Sequence, residues 1–227
     1  MLQVTCCKLH VAKNIVFFSL ISLIVSIDLA RAAEDPKKAP PKQEIKATAA
    51  SVAKKDDKSS FEAEKAKALQ NPYANDFGPA TLDVSGYPAD KQAGYKVLQA
   101  KCSKCHTPSR PLNSQFIEPS GKDLAEREKK VADLKKSNPE MFKDKNVFQV
   151  EPDIWQRYVK RMMAKPGCEI TKDEGKKVWD FLVYDSNQRK LGANKEAWAK
   201  HRRALLDDFK QKNPARYKEL YESAATK

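Results

Sequence analysis

Hydrophobic positions in this chain recur mainly at helical spacing, and almost nothing alternates as a strand would. The clearest case is Trp155, Tyr158, Val159, Met162 and Met163, which fall at i, i+3, i+4, i+7 and i+8. That spacing makes one apolar face of an amphipathic helix. Pro152 is placed to open it, and Pro166-Gly167 to stop it. Thr171-Lys172-Asp173-Glu174 then has the form of a capping box. The helix it starts presents Val178, Phe181, Leu182 and Tyr184 to a core. Upstream, residues 89–101 read as a helix with Tyr95, Val97 and Leu98 on one side and Pro88 at its start. Lys122 to Lys136 patterns as a charged helix with a thin stripe of Leu124, Val131 and Leu134. Asn138-Pro139 reads as an N-cap followed by proline at the first position of a short helix or turn. From Asn194 the tail is helical and highly charged, with Trp198, Leu205, Leu206 and Phe209 in one stripe. Asn213-Pro214 restarts a second short helix through Tyr217, Leu220 and Tyr221. The fold class predicted is all-α.

The other segments set the domain boundaries. Residues 1–32 read as a cleaved secretory signal: Lys8, His10 and Lys13 precede an apolar run from Ile15 to Ile27, and Ala30-Arg31-Ala32 suits signal peptidase. The run is short for a bilayer span, which takes about 20 residues, so no stable span is expected after cleavage. Cys6 and Cys7 precede the run, whereas a lipoprotein cysteine would follow it. Residues 33–70, rich in Lys, Ala, Pro and Ser, read as a flexible linker. Residues 71–190 make the main domain, beginning with an irregular wrap over Asn71 to Pro88. Residues 191–227 form a C-terminal helical arm. Its apolar stripe suits a partner surface better than a clasp, because the main domain reads as complete without it.

Composition narrows the chemistry. The formal net charge is +13, but export argues against nucleic acid as the partner. The basic surface is a solvated one, or a docking face for an acidic protein. His201-Arg202-Arg203 reads as part of a solvated helix face. No Ser/His/Asp set, phosphate loop or carboxylate pair points to an enzyme. Downstream of Ala32 the cysteines are Cys102, Cys105 and Cys168. The first two stand in Cys102-Ser103-Lys104-Cys105-His106, the attachment pattern of haem c. Two intervening residues bring both sulfurs to one porphyrin edge, and His106 then becomes the proximal iron ligand. A thioredoxin-type reading needs a preceding strand, and a zinc site needs further ligands; neither is visible.

With that motif in place, residues of about 86–190 resemble class I c-type cytochromes, in the order helix, C-x-x-C-H, loop, helices, ligand loop and C-terminal helix. The resemblance implies a single covalent haem. It also implies that Gly94 lets the N-terminal helix cross the C-terminal one closely, with Trp179 or Phe181 and Leu182 facing it. Pro108 or Pro111 would support the loop that holds the proximal histidine.

A second axial ligand is expected before the C-terminal helix, where Met162, Met163 and Cys168 compete. The methionines lie in a helical stripe, where packing is the usual role. Cys168 lies in the loop, and thiolate binds ferric iron strongly. An open site or His201 is the remaining choice. The stretch Trp155 to Ser186 is also similar to small monohaem cytochromes of anammox and related bacteria. That resemblance implies His/Cys ligation with Cys168, pairing into heterodimers, and the anammoxosome lumen if the source is an anammox bacterium. Otherwise the periplasm or an equivalent compartment is expected. The function predicted is one-electron transfer to a redox partner protein. NO or CO binding at a displaceable ligand, or service as an electron-transfer subunit, are the alternatives. A homodimer is open beside the heterodimer.

Overall fold

The computed structural model describes residues 58–222, so the expected signal sequence, Cys6, Cys7 and the first part of the expected linker lie outside the described residues. The helices are α1 (Lys58–Gln70), α2 (Ala89–Lys101), α3 (Ser109–Leu112) and α4 (Leu124–Ser137). They continue with α5 (Ile154–Met163), α6 (Lys172–Lys190), α7 (Lys195–Lys212) and α8 (Pro214–Tyr217). Single 3-10 turns at Ala74–Phe77 and Pro139–Phe142 and a π-helical turn at Lys218–Glu222 join them. Two-residue strands β1 (Phe116–Ile117) and β2 (Gln149–Val150) pair in parallel. They are the only strands among the described residues.

The helix ends follow from local chemistry. Thr171 accepts from the Glu174 amide while the Glu174 carboxylate accepts from the Thr171 amide, so α6 starts with a complete capping box. Asp123 caps α4 by accepting from the Glu126 amide. The start of α5 is capped from a distance. Buried Glu118 accepts from the amides of Trp155 (2.8 Å) and Gln156 (3.2 Å), and also from the Trp179 indole (3.1 Å). A carboxylate at a helix N-terminus satisfies orphan amides and complements the dipole. Glu118 therefore fixes the helix that carries Tyr158, Met162 and Met163.

α2 and α6 form the central crossing. A Cβ added to Gly94 would lie 2.3 Å from the Lys177 carbonyl and 2.8 Å from Phe181 Cβ. Only glycine permits that backbone approach. Phe181 is the facing side chain, whereas Trp179 turns to Glu118 and stacks under Arg127. Leu98, Leu112, Ile154, Trp155, Val178, Phe181 and Leu182 make the main apolar core around the crossing. Tyr87 and Tyr95 of the wrap and α2 pack onto it.

Three expectations change. Lys58–Gln70, expected as linker, is helical. It is tied down by the Glu64–Lys165 ion pair and by Arg110 donating to the Ala68 carbonyl. The C-terminal stripe is a clasp on its own chain and not a partner surface. Trp198 enters a second core with Ile117, Val147 and Val150, and Leu206 and Phe209 enclose Ala74 in a third. The main domain is not closed without these side chains, and burying each contributes about 1.5–3 kcal/mol. Finally, His201-Arg202-Arg203 is not a solvated face. Arg202 is 0% exposed and donates to Asn146 O, Asn113 O and Gln115 Oε1, while His201 bonds the Asn113 side chain. Arg203 alone faces solvent, beside Asp144. Charge pattern along a helix does not reveal that a neighbouring loop supplies carbonyls to one guanidinium.

Candidate functional site

The residues singled out from sequence converge on one cavity of about 640 Å³, within the 300–1,000 Å³ range of small-molecule and cofactor sites. Cys102, Cys105 and His106 line the part that follows α2, and Met162, Met163 and Cys168 line the part formed by α5 and the loop after it. Leu98, Phe116, Val178 and Leu182 supply apolar walls. His201 is not among the lining residues; it is held by Asn113 instead.

The motif sits where α2 ends. Cys102 is the C-cap residue, its amide donating to the Leu98 carbonyl. The chain then turns, and Pro108 leads into α3, where Pro111 is buried and lines the cavity. Pro111 is thus the proline that borders the His106 side of the site. His106 Nδ1 lies 2.9 Å from the Thr107 carbonyl. A carbonyl only accepts, so Nδ1 carries the hydrogen and Nε2 keeps its lone pair. Burial also pushes the His106 pKa down, favouring neutral imidazole. A neutral ring with one nitrogen fixed by a carbonyl is the form that ligates a metal.

Burial likewise governs the thiols. Cys102 is pushed up to about 12, by burial first and then by the neighbouring Cys168. Cys105 is raised by the same two causes in the same order. The three cysteines are therefore electrostatic neighbours. Burial thus favours the neutral thiol at Cys102 and Cys105. Among the described residues, no three His, Cys, Asp or Glu side chains are arranged to hold a metal ion by themselves. A metal held mainly by a macrocycle asks for only two axial ligands and fits this donor set.

The structure separates the three distal candidates. Met163 is committed to packing: a Cβ on Gly175 of α6 would fall 2.4 Å from its Sδ. Met162 is half-buried on the cavity side of α5. Cys168 follows Gly167, whose φ of +68° turns the loop back toward the cavity. The ring of Phe61 in α1 covers that glycine, 2.4 Å from where a Cβ would be. The loop is fastened to the motif by surface charge. Lys104 pairs with Glu169 at 2.7 Å, Lys101 with Glu174 at 2.6 Å, and Lys101 also donates to the Glu169 carbonyl at 3.1 Å.

Two groups of lining residues were missed by sequence reasoning. α1 adds Phe61, Glu64 and Ala68, and the C-terminal arm adds Arg216, Leu220 and Tyr221. Neither carries a local signal that separates it from an ordinary charged helix. Comparison with family models, curated proteins and solved structures finds no match for this chain.

Proposed function

We propose that this chain is an exported monohaem c-type cytochrome that works as a one-electron carrier. The observation that carries the reading is the convergence of Cys102, Cys105 and His106 with Cys168 and Met162 on one largely apolar cavity. When bound, haem supplies a one-electron iron couple. Cys102 and Cys105 would hold it through their sulfurs as two thioethers. His106 offers Nε2 as the proximal ligand, oriented by Thr107. Cys168 is the distal ligand in this reading, with Met162 as the alternative. The apolar walls from α2, α5 and α6 exclude water and keep reorganisation on electron transfer small. The fold in this proposal is a class I cytochrome c core extended by α1 and by the C-terminal arm. The basic surface suits an acidic redox partner, or pairing with a second cytochrome chain.

A second reading, binding of NO or CO, is favoured by how the Cys168 loop is fastened. Its ties to the motif are the exposed Lys104–Glu169 pair, the half-buried Lys101–Glu174 pair and the Lys101 bond to the Glu169 carbonyl, and ion pairs this near the surface contribute little. A loop so held can move its ligand away at modest cost. Spectra of the ferric and ferrous chain with and without CO separate the readings. Unchanged ferrous spectra under CO leave the carrier and dismiss the gas binder. Cys168→Met is expected to raise the midpoint potential by on the order of 0.1 V or more while the haem stays attached. If spectrum and potential do not move, Cys168 is not a ligand.

A further inference from the structure

One end of the cavity is built around guanidinium groups from separate parts of the chain. Arg110 of α3 and Arg216 of α8 both stack on Tyr73, their central carbons 4.9 and 5.3 Å from the ring centroid. All three residues line the cavity. Arg110 is already committed in part: Asp76 accepts from its Nε at 2.8 Å and from Nη2 at 2.7 Å. Arg216 is not fully committed. Its Nη1 pairs with Glu219 at 2.6 Å, but its Nε is buried with no acceptor among the described residues.

A buried N–H on a charged group without an acceptor calls for an explanation, because its lost hydration goes uncompensated. A second cation stands behind the same end. Arg202 is 0% exposed, and among the described residues no carboxylate lies within ion-pair distance of it. Its neighbour Gln115 lines the cavity. Buried charge without a counter-charge is costly. An anion in this end of the cavity would give the Arg216 Nε its missing acceptor.

We infer that the Arg216–Tyr73–Arg110 end of the cavity is a carboxylate receptor, with Arg216 of the C-terminal arm as its principal donor. This rests on the haem reading, under which the carboxylates are the two propionates that haem carries on one edge. A planar guanidinium fork matches a carboxylate, and such charge-assisted bonds are about twice as strong as neutral ones. The arm therefore holds the cofactor as well as closing the core. Arg216 is a positioning and charge-setting residue, not a ligand to iron.

The test uses the full exported chain matured with haem, compared with Arg216→Gln, Arg216→Lys and, as a charge control, Lys212→Gln. Lys212 pairs with Asp208 and does not line the cavity. Readouts are the midpoint potential and the propionate bands of the resonance Raman spectrum. Arg216→Gln is expected to shift the reduction equilibrium about tenfold toward the ferric form, about 59 mV for one electron, with altered propionate bands. Arg216→Lys is expected to keep most of the potential and lose the band pattern. It serves alone if the glutamine variant does not fold. Unchanged bands in both variants, or an equal shift in Lys212→Gln, overturn the inference and leave the cytochrome reading standing. A wild-type chain that carries no haem overturns the cytochrome reading and this inference together.

Discussion

The two long seams of the molecule are made of different materials. Where α2 crosses α6, Gly94 brings backbone against backbone and the surroundings are apolar: Leu98, Val178, Phe181 and Leu182 are all at most 2% exposed. Where α7 joins the rest, charge is buried along with tryptophan. Lys190 is 0% exposed and donates to Phe116 O and Ser186 Oγ, with the rings of Trp155 and Trp198 at 5.2 and 4.7 Å from its Nζ. Arg202 is likewise buried among carbonyls. The first seam is specified by shape, since any added atom collides. The second is specified by polar satisfaction, since any removed partner leaves a buried group unmet. The first holds the Cys102–His106 motif, and the second holds the arm that closes the cavity.

The largest way to break this contrast is to remove the arm. A chain ending at Asn194 loses the burial of Trp198, Leu205, Leu206 and Phe209. That is on the order of 6–12 kcal/mol at 1.5–3 per side chain, comparable with the whole stability of an ordinary domain. No cooperative thermal transition is expected by circular dichroism. An unchanged melting temperature would show that the arm is dispensable.

The next effect is smaller and falls on the apolar seam. Gly94→Ala gains about 1 kcal/mol in helix propensity. It also drives a methyl group into the Lys177 carbonyl, and overpacking costs about 1–3 kcal/mol. Net destabilisation is expected in urea unfolding. A stabilised variant would mean the helices part without penalty.

The smallest expected effect lies in the polar seam and depends on pH. Burial lowers the Lys190 pKa well below its ordinary value. The lysine therefore adds stability at pH above the unfolded value of 10.5, and that contribution is lost as pH falls through the folded value. Against Lys190→Met, the wild type is expected to gain relative stability as pH rises from the lowered folded value toward 10.5. At neutral pH the two differ by only about 1 kcal/mol, since a buried charge is often replaceable by an apolar side chain. A stability difference that stays flat with pH would place the ammonium in contact with water.

These seams were not equally legible in the sequence. The Thr171–Glu174 box and the stripe from Trp155 to Met163 are each readable within one or two turns of chain, whereas the close crossing at Gly94 came only from the family resemblance; the folded elements follow all three. The Cys102–His106 motif is five consecutive residues. The arm's stripe was visible too, but not its destination, because Ala74 and Val147 lie far away in the chain. Glu118 as the cap of α5 is 37 residues from Trp155 and left no local mark. The Arg110–Tyr73–Arg216 end depends on three distant segments meeting, and arginine after a helix-starting proline is common. Spacing exposes what a single helix does, and it is silent on which loop later satisfies a buried charge.

A c-type cytochrome requires covalent attachment at Cys102 and Cys105. The decisive measurement is the intact mass of the exported wild-type chain under denaturing conditions, with Cys102→Ala alongside. One haem added to the polypeptide mass, retained through denaturation and absent as a two-thioether product in Cys102→Ala, is the predicted result. A wild-type mass equal to the polypeptide alone, or haem that dissociates on denaturation, would contradict it.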